Sequence, residues 1–239
     1  MSRIIMISDI HGCIKPFNQM LDFIKFNPNK DKLILLGDYV DRGPNSKDVV
    51  DKVISLVKEY GAIALRGNHD QRLVDLISNH DNSIQTKFIE HGGIETIHSY
   101  CDAKNEINEI DMNKAISIIS ENYSHHIDFL RCLPLYYEDD KHLYVHAGIN
   151  PKYSNWKEQS DYEFMYIKDE FLYYPTSLDK KVVFGHTKVI DIHGKADVWF
   201  SEDKIGIDGG CAFGLQLNGL IYENGTYETI SIVNRSNIE

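Results

Sequence analysis

The chain has little of what would mark a secreted, membrane-spanning or nucleic-acid-coating protein. Only four cysteines occur in its 239 residues: Cys13, Cys101, Cys132 and Cys211. They are scattered without zinc-type spacing, so buried thiols in a reducing cytoplasm are expected. No apolar run nears the roughly 20 residues of a membrane span, and Met1 to Ser8 lack the charged, apolar and small-residue order of a signal peptide. Basic residues are scarce as well. With 25 Lys+Arg against 36 Asp+Glu, the formal net charge is -11, which argues against bulk nucleic-acid binding while leaving room for a local basic groove. Low-complexity tracts, internal repeats and linkers are absent, so the chain reads as one domain over residues 1–239, with 42% apolar residues to fill its core.

What is present is a set of five short apolar runs rich in β-branched residues, the pattern of buried strands. They are Arg3 to Ser8, Lys32 to Leu36, Ala62 to Leu65, His142 to Val145 and Lys181 to Phe184. Between the early runs, Phe17, Met20, Leu21 and Ile24, and then Val49, Val50, Val53, Ile54 and Val57, recur at helical spacing. Strand and helix therefore alternate, which predicts parallel strands joined by helical crossovers. Residues 71–133 read as a mainly helical insertion, broken at Gly92-Gly93 and by a polar stretch near Lys104 to Asn108. After Lys181, candidates at Asp197 to Phe200, Lys204 to Ile207, Leu215 to Leu217, Leu220 to Tyr222 and Tyr227 to Val233 predict antiparallel strands parted by Gly and Asn turns.

Each of the five runs ends in residues suited to metals or phosphate. These are Asp9-Ile10-His11-Gly12, Gly37-Asp38-Tyr39-Val40-Asp41-Arg42-Gly43, Gly67-Asn68-His69-Asp70, His146-Ala147-Gly148 and Gly185-His186-Thr187. Ligands of open α/β sheets gather at the carboxyl ends of strands, so five loops distant in sequence can share one crevice. Taken singly, an Asp after a strand is commonly a helix cap and a lone His a packing residue. A structural explanation of the whole ordered set must account separately for every Gly, Asp, His and Asn in it.

The ordered set resembles the metallophosphoesterases, and within them the phosphoprotein phosphatases, closest to compact bacterial and phage serine/threonine phosphatases. The resemblance runs from Met1 to about Gly214. It implies an αββα sandwich of two mixed sheets flanked by helices. It also implies two divalent metals, Mn²⁺ by first choice with iron or zinc as alternatives. The first would sit on Asp9, His11 and Asp38, and the second on Asp38, Asn68, His146 and His186, with Asp38 as bridge. Carboxylate, imidazole and amide ligands without thiolate suit such metals. On that resemblance, a hydroxide shared between them would attack phosphorus. His69 is the implied general acid, with Asp41 fixing its tautomer and favouring imidazolium. Arg42 binds phosphate through its planar fork, and Asn68 is also a substrate contact. Asp208 is placed behind the metals.

Two positions depart from, or lie outside, the family pattern. Compact relatives carry Trp-x-Arg followed by an acidic residue where this chain reads Met165-Tyr166-Ile167-Lys168-Asp169, so Lys168 is expected to fill part of a second phosphate clamp, without arginine's bidentate geometry. Arg66 is assigned a structural pairing. Ile207 to Gly214 is glycine-rich, but no Lys-Ser or Lys-Thr follows, so turns are expected there in place of a phosphate cradle. His80, His91, His98, His125, His126, His142 and His193 are given structural roles, and residues 80–133 and 151–174 are expected to wall the cleft.

The activity expected first is hydrolysis of phosphomonoesters on phosphoserine or phosphothreonine proteins. A symmetrical dinucleoside tetraphosphatase is the alternative, since that family shares the His146-Ala147-Gly148-Ile149 segment. A scaffold that has lost catalysis ranks below both, because all six ligand positions hold competent side chains. Substrate would be a phosphoprotein or a small phosphoester, with no membrane partner.

Overall fold

The computed structural model describes residues 3–79, 81–101 and 111–235. In chain order the first half runs β1 (Arg3–Ile7), α1 (Ile14–Phe23), β2 (Asp31–Leu35), α2 (Ser46–Tyr60), β3 (Ile63–Ala64), α3 (Asn68–Ser78), α4 (Asn82–Glu90), α5 (Gly93–Cys101), α6 (Met112–Asn122) and α7 (Ser124–Cys132). There follow β4 (Tyr136–Glu138), β5 (His142–Val145), α8 (Asp161–Tyr166), α9 (Asp169–Leu172), β6 (Lys181–Phe184) and α10 (Val189–His193). The chain ends with β7 (Trp199–Phe200), β8 (Lys204–Gly206), β9 (Gln216–Glu223) and β10 (Thr226–Val233).

Two five-stranded sheets result, ordered β10-β9-β1-β2-β3 and β4-β5-β6-β8-β7. Alternation along each strand decides the layers, because successive side chains point to opposite faces. On β1, Met6 joins Ile34, Leu36, Tyr144, Val183 and Ile205 between the sheets, while Ile5 and Ile7 face outward onto Phe17, Met20, Val49 and Val53. On the second sheet, Leu143, Val145, Val182 and Phe184 face outward onto Phe164, Ile167 and Phe171. Sheets buried on both faces need a helical layer on each side, which gives the αββα sandwich.

All five expected runs are strands, and β1, β2 and β3 are parallel. The late segment differs in two ways. β8 pairs parallel with β6, against the antiparallel expectation, and only its β7 partner runs antiparallel to it. Leu215 to Leu217 and Leu220 to Tyr222 are not two strands around a turn but one continuous β9, which pairs with both β1 and β10. Gly219 lies within the strand, paired with Ile7 and Ile230, and a side chain there would press on the Met20 thioether. β4, too short and only half-buried, carried no readable signal. Helices α3 to α7 fill the expected insertion. Its polar stretch near Lys104 to Asn108 lies outside the described residues, as does His80. No helix among the described residues is long and apolar enough to cross a membrane. The four cysteines are free thiols; Cys13 and Cys211 are buried, but Cys101 is half-buried and Cys132 exposed, against the expectation of four buried ones.

Phe184 is fully buried and meets Phe171 edge-on at a centroid distance of 5.0 Å. Phe184→Ala should lower the unfolding free energy by about 3–5 kcal/mol, read from urea denaturation.

Candidate metal centre

The loops that carry the site extend the sheet pairings beyond the strands. Asp9 N donates to Gly37 O at 3.1 Å, His11 N to Asp38 O at 2.9 Å, and Gly185 N to His146 O at 2.8 Å. The pairs β1–β2 and β5–β6 thus fix the loops that follow them. Six site residues, Asp9, His11, Asp38, Asp41, Arg42 and His186, have positive φ between 44° and 70°. Non-glycine residues rarely adopt this conformation, and surrounding structure must hold them there. Gly67, the cap residue before α3, lies against the Asp38 carboxylate so closely that a β-carbon would overlap Oδ1.

Asp38 is the centre of the arrangement, 1% exposed. Its Oδ2 lies 3.4 Å from Nε2 of both His11 and His146, and its Oδ1 accepts from His69 N at 2.9 Å. His11 Nδ1 bonds Val40 O at 2.7 Å and His146 Nδ1 bonds Leu36 O at 2.8 Å. A carbonyl partner holds a proton on Nδ1 and turns Nε2 of both rings toward Asp38, so Nε2 is the nitrogen each ring offers a metal once it is deprotonated. Asn68 Oδ1 stands 3.0 Å from His146 Nε2 and 2.9 Å from His186 Nδ1. His186 Nε2 is buried with no hydrogen-bond partner among the described residues. Asp9 completes the set, accepting from His186 N and lying 3.9 Å from His11 Nε2. The six expected ligand positions therefore converge around Asp38. The two side-chain groups close enough to hold a cation are His11, Asp38 and His69, and Asp38, His146 and His186, so the first brings in His69, expected as the acid, where Asp9 was expected. Oxygen and nitrogen donors of this kind fit divalent cations.

The electrostatics match. Burial, with Asp38 adding and His146 opposing, lifts Asp9 to about 6. Burial also disfavours charge on Asp38, but the facing imidazoles of His146 and His69 outweigh it and hold its carboxyl well below the usual range. His146 is raised to about 9, since Asp38 outweighs burial there too.

Beside this centre His69 Nδ1 bonds Asp41 Oδ2 at 2.7 Å, and Asp41 Oδ1 accepts from Thr96 Oγ1 at 2.7 Å. Arg42 reaches His69 Nε2 at 2.7 Å and also touches His11 Nε2. Its backbone N donates to Gly92 O at 2.8 Å. Gly92 has φ +91°, and a β-carbon there would meet Arg42 Cγ at 2.9 Å, so the glycine break of the insertion seats this arginine. The expectation that Asp41 favours imidazolium is not met by the protein's own groups. Burial pushes His69 well below its usual value, with His11, Arg42 and Arg72 adding to the effect, and burial pushes Asp41 well up.

Lys168 is exposed at the start of α9, and its charge is felt at His186, so it belongs to the rim. Arg66 donates to Arg131 O at 2.9 Å, as a structural pairing requires. Asp208 accepts from Gly210 N at 2.9 Å, and Asp9 helps burial to raise its carboxyl. Among the other histidines, His126 bonds Tyr100 and Asp51, and His142 bonds Tyr227. His91 is nearer the chemistry than expected, its ring 6.3 Å from that of His69. Three residues escaped the sequence reading. Asp70, quoted only as part of a motif, accepts from the backbone N of Asp38, Tyr39 and Gly67, each at 2.9 Å. Thr96 sits in a helix 55 residues from its partner Asp41. Arg72 places Nη1 3.1 Å from His69 Nε2, and its i+3 spacing on α3 was the available signal.

A two-sheet sandwich with such a centre defines a phosphoesterase, and the model of the calcineurin-like phosphoesterase family matches residues 2–210. The chain belongs to that family, whose members hydrolyse phosphate esters with divalent metals. It is 30% identical over 252 residues to the asymmetrical bis(5'-nucleosyl)-tetraphosphatase PrpE of Anoxybacillus flavithermus, covering 95% of this chain and 92% of that one. It is 32% identical over 148 residues to the symmetrical bis(5'-nucleosyl)-tetraphosphatase of Chromobacterium violaceum, covering 62% of this chain and 44% of that one. A crystal structure provisionally assigned as a diadenosine tetraphosphatase superposes with a TM-score of 0.67 at 22% identity, covering 98% of this chain and 95% of that one.

Metal ligands must lose their protons to bind. Because Asp9 keeps its proton to about 6 and His146 to about 9, affinity for Mn²⁺ should rise steadily over that pH interval, with proton release, as measured by calorimetric titration at several pH values.

Proposed function

We propose that this protein hydrolyses dinucleoside tetraphosphates, with asymmetrical cleavage. The observation that carries the reading is similarity to an asymmetrical tetraphosphatase along nearly the whole of both chains, whereas the symmetrical relative matches less than half of its own length. The phosphoprotein reading, first from the sequence, falls behind it. The rim supports the choice. Arg42, Arg72 and Lys168 place three cations around one centre in a chain of net charge -11, which suits a polyanionic phosphate chain better than a single monoester.

Asp9, His11 and Asp38 would hold one cation, and Asp38, Asn68, His146 and His186 the other, with Mn²⁺ preferred and iron or zinc compatible with the donors. Bound there, two divalent cations supply a nucleophile at neutral pH and neutralise charge on the phosphoryl oxygens. Arg42 grips non-bridging oxygens and steadies the charge that develops on them. Asn68 offers its amide to the same group. Asp41, held by Thr96, fixes the His69 ring so that Nε2 faces the leaving oxygen. Burial and the positive neighbours Arg42 and Arg72 make a proton on His69 Nε2 easy to give up, the property a general acid needs.

Two experiments test this. The Mn²⁺-loaded protein should cleave diadenosine tetraphosphate to ATP and AMP faster than it releases phosphate from a phosphoserine peptide. Two ADP as product would favour the symmetrical reading, and a faster peptide reaction would restore the phosphatase. His69→Gln should lower kcat by about 10²–10⁴-fold while leaving Mn²⁺ affinity nearly unchanged; equal loss of both would remove the general-acid role.

A further inference from the structure

Two guanidinium groups converge on one acceptor. Arg42 Nη2 and Arg72 Nη1 both point at His69 Nε2, at 2.7 and 3.1 Å. A neutral imidazole nitrogen offers a single lone pair, so only one of the two can bond it strongly; Arg42 also turns Nη1 to His11 Nε2, which leaves Arg72 the less committed of the pair. Neither arginine makes an ion pair among the described residues, although both are half-buried. Two partly desolvated cations that face each other with no direct ion-pair partner among the described residues are costly unless something negative is meant to lie between them.

Each is also propped from behind. Arg42 lies over the Phe213 ring at 4.9 Å, and Arg72 over the Tyr166 ring at 5.5 Å. Tyr166 in turn stacks on Tyr162 with centroids 4.3 Å apart and planes within 12°, and its edge faces His186 at 6.3 Å. A guanidinium lying on an aromatic face keeps its in-plane N–H groups free to bind a ligand. Lys168, the expected second clamp, lacks this support: it is exposed and contacts neither His69 nor an aromatic ring among the described residues.

We propose that Arg72, held on the Tyr166–Tyr162 stack, is the second phosphate-binding arm of the centre, opposing Arg42. The assignment deepens the phosphoesterase reading of this site and rests on it, but it does not depend on the dinucleotide being the substrate. Arg72 binds non-bridging oxygens of the phosphoryl group under attack, and Lys168 meets charge further along the chain. Tyr166 is a positioning residue that supplies the ring face.

The test uses the full-length Mn²⁺-loaded protein with p-nitrophenyl phosphate and diadenosine tetraphosphate as substrates and inorganic phosphate as binding probe. Arg72→Ala should lower kcat/KM on both substrates by about 10- to 100-fold, the scale of charge-assisted hydrogen bonds, and weaken phosphate binding by about tenfold, with Mn²⁺ affinity retained. Arg72→Lys should recover part of the loss. Tyr166→Ala should fall between wild type and Arg72→Ala, and Tyr166→Phe, which keeps the ring face, should recover most of the Tyr166→Ala loss. Lys168→Ala should affect the dinucleotide more than the aryl phosphate. If Arg72→Ala does not fold, Arg72→Gln gives the same comparison. Unchanged kcat/KM and phosphate affinity in the Arg72 variants would overturn the assignment, and so would a loss of activity that tracks loss of Mn²⁺ binding. If the wild type hydrolyses the aryl phosphate but not the dinucleotide, the substrate reading fails while the Arg72 result still decides its own role.

Discussion

Asp38 is a carboxylate in the loop that follows β2, removed from water and held ionised by the imidazoles around it. A buried charge of this kind survives only where partners compensate its lost hydration. Here they come from four other segments: His11 after β1, the His69 amide at the start of α3, His146 after β5, and, through Asn68, His186 after β6. Meeting that single requirement brings the carboxyl ends of both sheets to one point. The Asp70 carboxylate secures the Asp38 backbone by accepting three amides of the same turns.

The geometry carries a conformational cost that the scaffold absorbs. Left-handed φ values at Asp9, His11, Asp38, Asp41, Arg42 and His186 are all found in loops clamped to each other by backbone hydrogen bonds. Sheets packed face to face, with helices on both outer surfaces, provide the rigid frame in which such strain persists. A looser frame would let these turns relax and the ligands separate.

The helical insertion is part of the centre and does more than cover it. Gly92 receives the Arg42 amide and Thr96 binds Asp41, so α4 and α5 set the direction of two residues that lie outside the metal-ligand groups. Across the cleft, α8 brings Tyr166 beneath Arg72 and beside His186. The candidate metal ligands are thus carried mainly by the ends of the sheets, while the orientation of Arg42 and Arg72 is set where helices approach them.

The sequence by itself determined the five strands and the parallel start of the first sheet, and it nominated the six candidate ligand positions that the fold brings together. Each of these is written locally: a β-branched run fits a buried strand whatever its partner, and Asp9, Asp38, Asn68, His146 and His186 directly follow such runs. Residues whose role depends on what another segment places opposite them were illegible. Thr96 matters because α5 carries it to Asp41, 55 residues away. β8 is parallel because it lands beside β6, and its own pattern does not encode a direction. The pairing of Arg72 with Arg42 across one imidazole, and the rim position of Lys168, were likewise decided only by the tertiary structure, since periodicity says which face a side chain takes and not which charges it will meet there.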